Sequence, residues 1–531
     1  MKISVFFKKN AALITIVLVA AAVSAASLVN GFNIDDGPLL LENKAVHGIS
    51  LENLKAVLTS VPNGLEYLPI RDLTYQVDHQ IWGLNPLGYH ISNLFWYGAC
   101  CVIFYLFLVR LLAPWTDQSK PVAFIAALLF TVHPVHVESM AGIAQRKDLV
   151  SGFFFFCSLL MYLRFRDSGT RRQYGFSLIL FFLSLLAKGT VLVLPLVIVL
   201  IECFSHRTRQ SFKPLLFRAL PFFLISAAVT VLQAALLQQN GIINQSYLGI
   251  GHGYEKRIFS SFRAVMYYLR LLVFPSPLTI LHTFRFSQRL FELPVLLSSA
   301  GTGIIMVSAF RSRKINPALS FALSWFLVLL LPVIGLIPLA TVIAERYLFL
   351  PSAAFCLAAA VMIQRGAGSI LGKFSYLALV LIVVAFMAVS VNRAGEWKDA
   401  LTLYEAGIRT NPESPRLRWL AGREHFSVGR YPEAFERFGE ARLLDRWYAI
   451  DYALYTALLS LERREPDKAL AELDTITVPR KDEILEVNAL TGRALLMKGN
   501  QEGRRYLEAA MKSGIRLGII PRREVEAELQ R

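Results

Sequence analysis

The chain is poor in cysteine, in charge and in glycine-rich phosphate loops, and each shortage excludes a class of protein. Only 5 of its 531 residues are cysteines, all in apolar stretches and none in a CxxC pair, so the sequence predicts neither a disulfide scaffold nor a zinc site. Charged residues make up 18% of the chain, which is low for a soluble domain. No P-loop or GxGxxG motif is present, so a soluble nucleotide is not predicted as a ligand.

Apolar residues are correspondingly abundant, at 55% of the chain, and the mean hydropathy is +0.48. They fall in runs of about twenty residues, the length that a helix needs to cross a hydrocarbon layer of ~30 Å. We therefore predict an all-α fold, in which a polytopic membrane bundle of about eleven spans occupies residues 1–392. The predicted spans are residues 11–30, 88–112, 121–138, 149–165, 175–187, 189–204, 217–238, 291–310, 318–341, 347–364 and 374–392.

Basic residues set the predicted topology. Lys2, Lys8 and Lys9 precede the first run, which is too long for an ordinary signal-peptide core and is interpreted as an uncleaved first helix with a cytoplasmic N-terminus. Much of the net charge of +17 then falls in short cytoplasmic loops, where the positive-inside rule places it. A nucleic-acid partner is therefore not predicted.

One apolar stretch, residues 259–281, is ambiguous. Counted as a span, it would invert the topology of everything after it. Arg263 and Arg270 in its middle, and Pro275 and Pro277 near its end, favour a helix that lies at the membrane interface. On this topology the first outside loop is 31–87, and the C-terminal domain is also outside.

The C-terminal domain, residues 393–531, carries an internal repeat. Small residues recur about every 34 positions, at Ala400, Ala434, Ala469 and Gly503. This period predicts a tetratricopeptide-type α-solenoid. Its helix pairs either pack only on themselves or form a concave groove for an extended segment of a partner, and the groove is favoured.

Two adjacent carboxylates, Asp35 and Asp36, directly follow the first span. Such a pair suits a general base or a metal ligand, and its structural alternative is a helix cap. Further polar clusters fall on the same predicted side of the membrane. They contain Tyr67–Arg71, His90, Asn93, His133–Glu138, Gln145–Asp148, Lys188 and Glu345–Tyr347.

The segment His133-Pro-Val-His136-Val-Glu138 has two interpretations. His133, His136 and Glu138 could form a metal trio, but the sequence fixes no further ligand, so a hydrogen-bonded polar shelf is favoured. Asp36 and Glu138 are kept as the weaker metal candidates. Arg146, Lys188 and Arg346 either anchor helix ends at the interface or clamp the phosphate of a lipid-carried sugar. Together these clusters predict a transferase that takes its donor from the membrane.

At these residues the sequence resembles the GT-C superfamily of polyprenyl-phosphate-dependent glycosyltransferases. The resemblance is closest to the transmembrane and tetratricopeptide-repeat O-mannosyltransferases and their bacterial relatives, and it covers nearly the whole chain. The matching pieces are Phe32–Asp36, Pro69–Asn93, His133–Asp148, Ala344–Ser352 and Trp397 with Asn411-Pro412.

The resemblance implies an inverting transfer of a sugar from a polyprenyl phosphate to a hydroxyl group, with mannose as the favoured sugar. The acceptor hydroxyl belongs either to a protein Ser or Thr or to an envelope glycan. The face implied is the periplasmic face of a bacterial inner membrane. Asp35 matches the base, with Asp36 as second choice, and the acceptor is expected to contact the repeat domain. No cofactor is required by the resemblance, and a divalent cation is left open. The implied substrate and lipid-phosphate residues are Arg346, Tyr347, Lys188, Arg146, Arg71, His133, His136, Glu138, Asp148, His90 and Asn93.

The sequence departs from the family pattern at Leu68, Gln145 and Gly189, where relatives often have Arg, Gly and Glu. These departures leave the sugar and the acceptor open. Two other functions compete with the transferase: an O-antigen-ligase-like glycan transferase, and a non-catalytic membrane scaffold that binds partners through its repeats.

Overall fold

A computed structural model describes residues 2–204, 212–239, 253–336, 341–367, 372–476, 481–511, 519 and 522–530. Within these residues the regular structure is helical and no strand occurs, which confirms the predicted all-α class. The chain divides into two compact units, Met1–Leu403 and Tyr404–Arg531. The junction predicted at 392 and 393 lies inside the helix Gly372–Glu396.

The first unit consists mainly of long apolar helices. Its α-helices are Lys2–Ser24, Leu51–Thr59, Pro69–Trp82, Pro86–Leu112, Ser119–Val132, Val137–Ala141, Arg146–Ser168, Arg171–Ala187, Leu194–Phe204, Phe212–Gln239, Tyr254–Val273, Leu293–Ser312, Pro317–Leu330, Pro351–Ala367, Gly372–Glu396 and Ala400–Thr410, the last of which runs into the second unit. Short 3-10 or π turns lie at Ala25–Val29, Gly37–Leu41, Lys44–Val46, Pro134–His136, Ile143–Gln145, Gly189–Val193 and Glu345–Leu348.

Within the part of the chain that the structure describes, six helices are long and apolar enough to cross a membrane, or seven if the bent pair Ser119–Val132 and Pro134–Ala141 is one span. The chain is therefore a multi-pass membrane protein. Ile143–Ser168 is the most central of the six, with 67% of its apolar window buried, whereas Phe374–Glu396 has 11% buried. The six are Asn10–Val29, Pro86–Leu112, Ile143–Ser168, Leu215–Gln239, Leu293–Ser312 and Phe374–Glu396.

The predicted count of about eleven spans exceeds the number of helices that pass this length criterion. Each predicted segment does contain a helix, but four of these helices are shorter than the criterion requires. Local breaks explain the shortening; Lys188, for example, has an extended backbone that ends one helix before the next begins. The four are Arg171–Ala187, Gly189–Phe204, Pro317–Leu330 and Pro351–Ala367.

The ambiguous stretch 259–281 contributes to the helix Tyr254–Val273, which is not among the candidate spans. Tyr268 and Leu271 on one side are fully buried, whereas Val273 on the other side is 43% exposed. One-sided burial is compatible with the interfacial position that the sequence analysis favours, which stays a prediction.

The segment 31–87, which the sequence predicts as the first outside loop, packs against the ends of membrane helices. Leu40, Val46 and Val57 of this loop pack with Tyr75 and Tyr89 in a small buried core. Tyr75 also donates a hydrogen bond from its hydroxyl to the carbonyl of Ile143, at 2.8 Å. The loop is thereby held against the start of the most central membrane helix.

The second unit is an array of helix pairs. Gly422 permits the closest approach within the first pair, because a Cβ there would lie 2.6 Å from the Phe438 ring. The predicted small positions Ala434 and Ala469 are fully buried, and Gly503 packs against Gly492. Its remaining helices are Pro415–Ser427, Tyr431–Leu444, Tyr448–Glu462, Pro466–Leu473, Lys481–Met497, Gly503–Met511 and Arg522–Gln530.

Candidate active site

Asp35 and Asp36 have different environments although they are adjacent. Asp36 is 1% exposed, and each of its carboxylate oxygens accepts a backbone hydrogen bond, from Asn33 N at 2.6 Å and from Ala144 N at 2.8 Å. Asp35 is exposed and accepts one hydrogen bond, from Gln145 Nε2 at 3.1 Å. Asp36 therefore fixes the loop, and Asp35 is the accessible carboxylate.

Burial raises the pKa of Asp36 from 3.8 to about 7; the nearby Asp35 charge raises it further, while the hydrogen bonds from Asn33 and Ala144 and the charge of Arg146 oppose the rise. Because the folded-state pKa is the higher one, this titration stabilises the fold fully below about pH 4. The contribution is lost as the pH rises through about 7.

Asp36→Asn should destabilise the fold by about 1–3 kcal/mol, the cost of an unpaired buried donor. An asparagine offers one acceptor oxygen where Asp36 offers two, so one of the two backbone donors loses its partner. Thermal unfolding of the detergent-purified protein, followed by intrinsic fluorescence, should show a lower Tm. Asp35→Asn is the matched control, and equal Tm values for the two variants would contradict the assigned role.

The polar shelf of the sequence analysis forms around His133, His136 and Glu138. His133 Nε2 is 3.0 Å from the carbonyl of Leu272, and His136 Nε2 is 2.7 Å from Ser352 Oγ. Glu138 forms an ion pair with the Arg346 guanidinium. The three side chains therefore have separate partners, as a hydrogen-bonded shelf requires.

Metal ligation was the alternative for this segment and for Asp36. Among the residues that the structure describes, no group of three or more His, Cys, Asp or Glu side chains is arranged to hold a metal ion. The Asp36 oxygens are already occupied by backbone donors.

Arg146 lies inside the scaffold. Its guanidinium is fully buried and bonds to Asn93 Oδ1 at 2.7 Å, to the Tyr89 carbonyl at 2.8 Å and to Asp78 at 2.5 Å. Asn93 in turn donates to the carbonyl of Met140, at 3.1 Å. These two residues join three membrane helices.

Arg71 and His90 are also buried. Arg71 forms ion pairs with Glu66 at 2.5 Å and with Asp72 at 2.7 Å. His90 lies beside the backbone of Asn30 and Gly31, at the start of the first outside loop. Both side chains support the loop that carries Asp35.

A cavity of about 400 Å³ collects most of the remaining predicted residues. Lys147, Lys188 and Arg346 contribute its positive charges. The centroid of the Tyr347 ring lies 5.7 Å from Lys188 Nζ and 5.2 Å from Arg346 Cζ. Apolar side chains line much of the rest of the wall, so the cavity combines positive charge with hydrocarbon. The apolar wall includes Leu65, Leu192, Leu237 and Pro332.

Each cation of the cavity faces a carboxylate. Lys147 lies 2.5 Å from Glu66, Lys188 pairs with Asp148, and Arg346 pairs with Glu138. Burial raises the pKa of Glu66, but the charges of Lys147 and Arg71 outweigh it and lower the pKa to about 2. The carboxylate therefore stays ionised beside Lys147.

Asp35 is not among the residues that line this cavity, but its charge acts on Arg346, which is. Burial opposes the positive charge of Arg346, but Glu138, Tyr347 and Asp35 together raise its pKa above the ordinary value. The hydrogen-bond donor to Asp35 is Gln145, two residues before Lys147. The cavity and its ion pairs thus bring together Lys188, Arg346, Tyr347 and Asp148, with Asp35 in electrostatic range of Arg346. Arg71, Arg146, His90 and Asn93 lie in the supporting scaffold.

Sequence reasoning missed Glu66 and Lys147 as members of this cavity. Lys147 was visible inside the segment Gln145–Asp148, and Glu66 stands directly before the Tyr67–Arg71 cluster. Both residues could have been found as charged residues within or next to segments that the sequence analysis already names. Only the fold shows that the two residues meet across 81 positions of sequence.

Comparison with known proteins shows a consistent set of relatives. The chain is 24% identical over 436 residues to protein O-mannosyl-transferase F38B6.6 of Caenorhabditis elegans, covering 78% of this chain and 60% of the relative. It is 26% identical to protein O-mannosyl-transferase Tmtc3 of Drosophila melanogaster, covering 71% and 48%. It is 24% identical to protein O-mannosyl-transferase TMTC3 of Homo sapiens, covering 76% and 48%. No family model matches the chain.

The chain spans about half the length of these curated relatives, between 48% and 60%. The alignments cover more than two thirds of this chain, in agreement with the resemblance found in its motifs. The chain is thus related, over most of its length, to the transmembrane and tetratricopeptide-repeat protein O-mannosyl-transferases.

Proposed function

We propose that this protein is a membrane glycosyltransferase that moves a sugar, with mannose as first candidate, from a polyprenyl phosphate to a hydroxyl group of a protein Ser or Thr. The observation that carries the proposal is a cavity lined by three cations and by apolar side chains, with the exposed Asp35 in electrostatic range of one of those cations, Arg346. The cations suit a phosphate, and the apolar wall suits the first part of a polyprenyl chain. The names of the related protein O-mannosyl-transferases suggest mannose as the sugar and a protein as the acceptor.

In the proposed reaction Asp35 removes the proton from the acceptor hydroxyl. The oxygen then attacks the anomeric carbon of the sugar, the bond from that carbon to the phosphate oxygen breaks, and the configuration inverts. The polyprenyl phosphate leaves with the electron pair of that bond. Arg346 and Lys188 stabilise the negative charge that develops on the phosphate oxygen.

The proposed reaction uses side chains of this protein for every step. Whether a divalent cation assists is a separate question, which transfer assays with and without EDTA answer. We further propose that the site faces the periplasm of a bacterial inner membrane, with the N-terminus in the cytoplasm and the repeats outside. The distribution of basic loop residues supports this orientation.

Sugar transfer by the detergent-purified protein tests the proposal. Radiolabelled polyprenyl-phosphate mannose serves as donor and a membrane-protein extract as acceptor. We expect label in a product that protease digests and mild alkali releases, since an O-linked sugar on Ser or Thr undergoes β-elimination. A protease-resistant product would point to a glycan acceptor and a ligase-like enzyme. Absence of transfer from mannose and from several other lipid-linked sugars would overturn the proposal and favour a scaffold.

Lys188→Gln should raise the KM for the lipid-linked donor about 10- to 100-fold, the value of one hydrogen bond to a charged group. Lys188 lines the cavity, and a phosphate there would exchange with Asp148 as its partner. Donor titrations of the transfer assay measure this effect. Lys120→Gln, an exposed lysine elsewhere in the same unit, is the control, and an unchanged KM in Lys188→Gln would remove Lys188 from the phosphate site.

A further inference from the structure

The end of the last membrane helix, residues 393–398, holds the loop that carries Asp35. Three of its carbonyl groups accept hydrogen bonds from this loop: Ala394 O from Asn30 Nδ2 at 2.9 Å, Trp397 O from Asn33 Nδ2 at 2.5 Å, and Lys398 O from Gly31 N at 2.9 Å. These bonds lie within five residues of Asp35. The position of Asp35 therefore follows the position of this helix end.

The same helix end also holds the segment that carries Arg346. Arg393 Nη2 lies 3.7 Å from Glu345 Oε2, and both side chains are buried. Glu345 directly precedes Arg346 in the chain. Its other oxygen accepts a hydrogen bond from Thr279 N at 2.5 Å and lies 3.3 Å from His282 Nε2.

Stability alone gives a weak reason for this ion pair. A buried ion pair often contributes less than apolar side chains of the same size would, and here the 3.7 Å separation is too long for a hydrogen bond. Arg393 Nη1 pairs with Glu396 on the same helix, but Arg393 Nε and Glu345 Oε2 have no hydrogen-bond partner among the described residues. Buried polar atoms without hydrogen-bond partners are costly, so a role other than stability is the better explanation for this ion pair.

We propose that Arg393 and Glu345 are positioning residues, which fix the separation between the base Asp35 and the phosphate-stabilising Arg346. The helix end 393–398 is the common support: hydrogen bonds fix one side of the site to it, and the Arg393–Glu345 ion pair fixes the other. This inference rests on the proposed function, because it assigns Asp35 and Arg346 the roles given above.

The effect on catalysis follows from geometry. Transfer requires the acceptor oxygen and the anomeric carbon to be held in line between the base and the leaving phosphate. A misplacement of about 1 Å can lower the rate about 100-fold without any change in the reacting groups. Loss of the ion pair should therefore slow turnover more than it weakens donor binding.

The kinetic test compares Arg393→Gln, Glu345→Gln and the double variant with wild type. We expect kcat to fall about 10- to 100-fold in each single variant, the donor KM to change less than about threefold, and the double variant to be no slower than the slower single one. Arg393→Lys, which keeps the charge, should recover part of kcat. The control is Arg110→Gln, which removes an exposed arginine ion pair with Asp167. Wild-type kcat in Arg393→Gln, or fully additive losses in the double variant, would overturn the proposal.

Hydrogen–deuterium exchange gives a second readout that needs no activity. In Arg393→Gln, amides of residues 341–347 should exchange faster, whereas amides of residues 30–36, which keep their hydrogen bonds to the helix end, and amides of Ile143–Ser168 should be unchanged. Unchanged exchange of residues 341–347 would contradict the role of the ion pair. If wild-type protein transfers no sugar, the proposed function fails, and this exchange experiment still decides whether the ion pair fixes residues 341–347.

Discussion

Replacement of Asp35 by asparagine should lower the turnover of sugar transfer about 10²- to 10⁴-fold, the usual contribution of a general base. The asparagine has nearly the same shape and can still accept the hydrogen bond from Gln145, but it cannot take a proton from the acceptor hydroxyl. Since Asp35 is exposed, the substitution should leave the fold and the donor KM close to those of wild type. Initial rates with radiolabelled donor, at saturating acceptor, measure the effect.

Glu52→Gln is a suitable control for Asp35→Asn. Glu52 is an exposed carboxylate in the same outside loop, in the first turn of the helix Leu51–Thr59, so it tests whether removal of any negative charge from this loop slows transfer. Glu52→Gln should retain wild-type turnover. Turnover within about threefold of wild type in Asp35→Asn would exclude Asp35 as the base, since even weak general-base catalysis exceeds that factor.

Arg346→Gln should lower turnover about 10²- to 10³-fold, as removal of one donor to a developing negative charge does in other enzymes. Arg346 combines a cavity-lining guanidinium with the backbone N–H that donates to Glu138 at 2.8 Å, so its orientation is set before the substrate arrives. The effect should appear mainly in kcat, because the charge on the leaving phosphate grows as the bond breaks. Single-turnover rates with bound donor isolate that step.

A structural effect of Arg346→Gln can be separated from the catalytic one. The substitution leaves Glu138 buried without its charged partner, which destabilises the fold. Adding Glu138→Gln removes that unpaired charge and should restore the Tm but not the turnover. If the double variant recovers wild-type turnover, Arg346 acts only by pairing with Glu138.

Most of the fold could be predicted from the sequence because its main determinant is local. The length of each apolar run and the basic residues beside it suffice to place a helix, and every predicted span does contain one. The breaks inside these runs were less visible. The turn after Leu330 shortens the predicted span 318–341, whereas the break at Lys188 coincides with the predicted boundary between spans 175–187 and 189–204.

The candidate site was predictable only in part, for a related physical reason. The sequence showed which segments carry unusual polar residues, and the structure places Lys188 and Arg346 in one cavity, with Asp35 in electrostatic range of Arg346. The sequence did not show the ion-pair partners of these residues, which come from other segments of the chain. Arg146 looks equivalent to Arg346 in sequence, yet Asn93 and Asp78 enclose its guanidinium. The position of an arginine at a helix end does not by itself show whether the side chain supports the fold or binds the substrate.

The pairing of each cavity cation with its own carboxylate has a consequence for how salt affects the protein. With Lys147, Lys188 and Arg346 facing Glu66, Asp148 and Glu138, the cavity has little net charge and attracts a distant anion only weakly. A lipid phosphate would bind by replacing carboxylates at close range, where the Debye screening that weakens exposed charges beyond about 10 Å has little influence. Donor affinity should therefore vary little with ionic strength, and the membrane, which concentrates the lipid, would govern how often the site is filled.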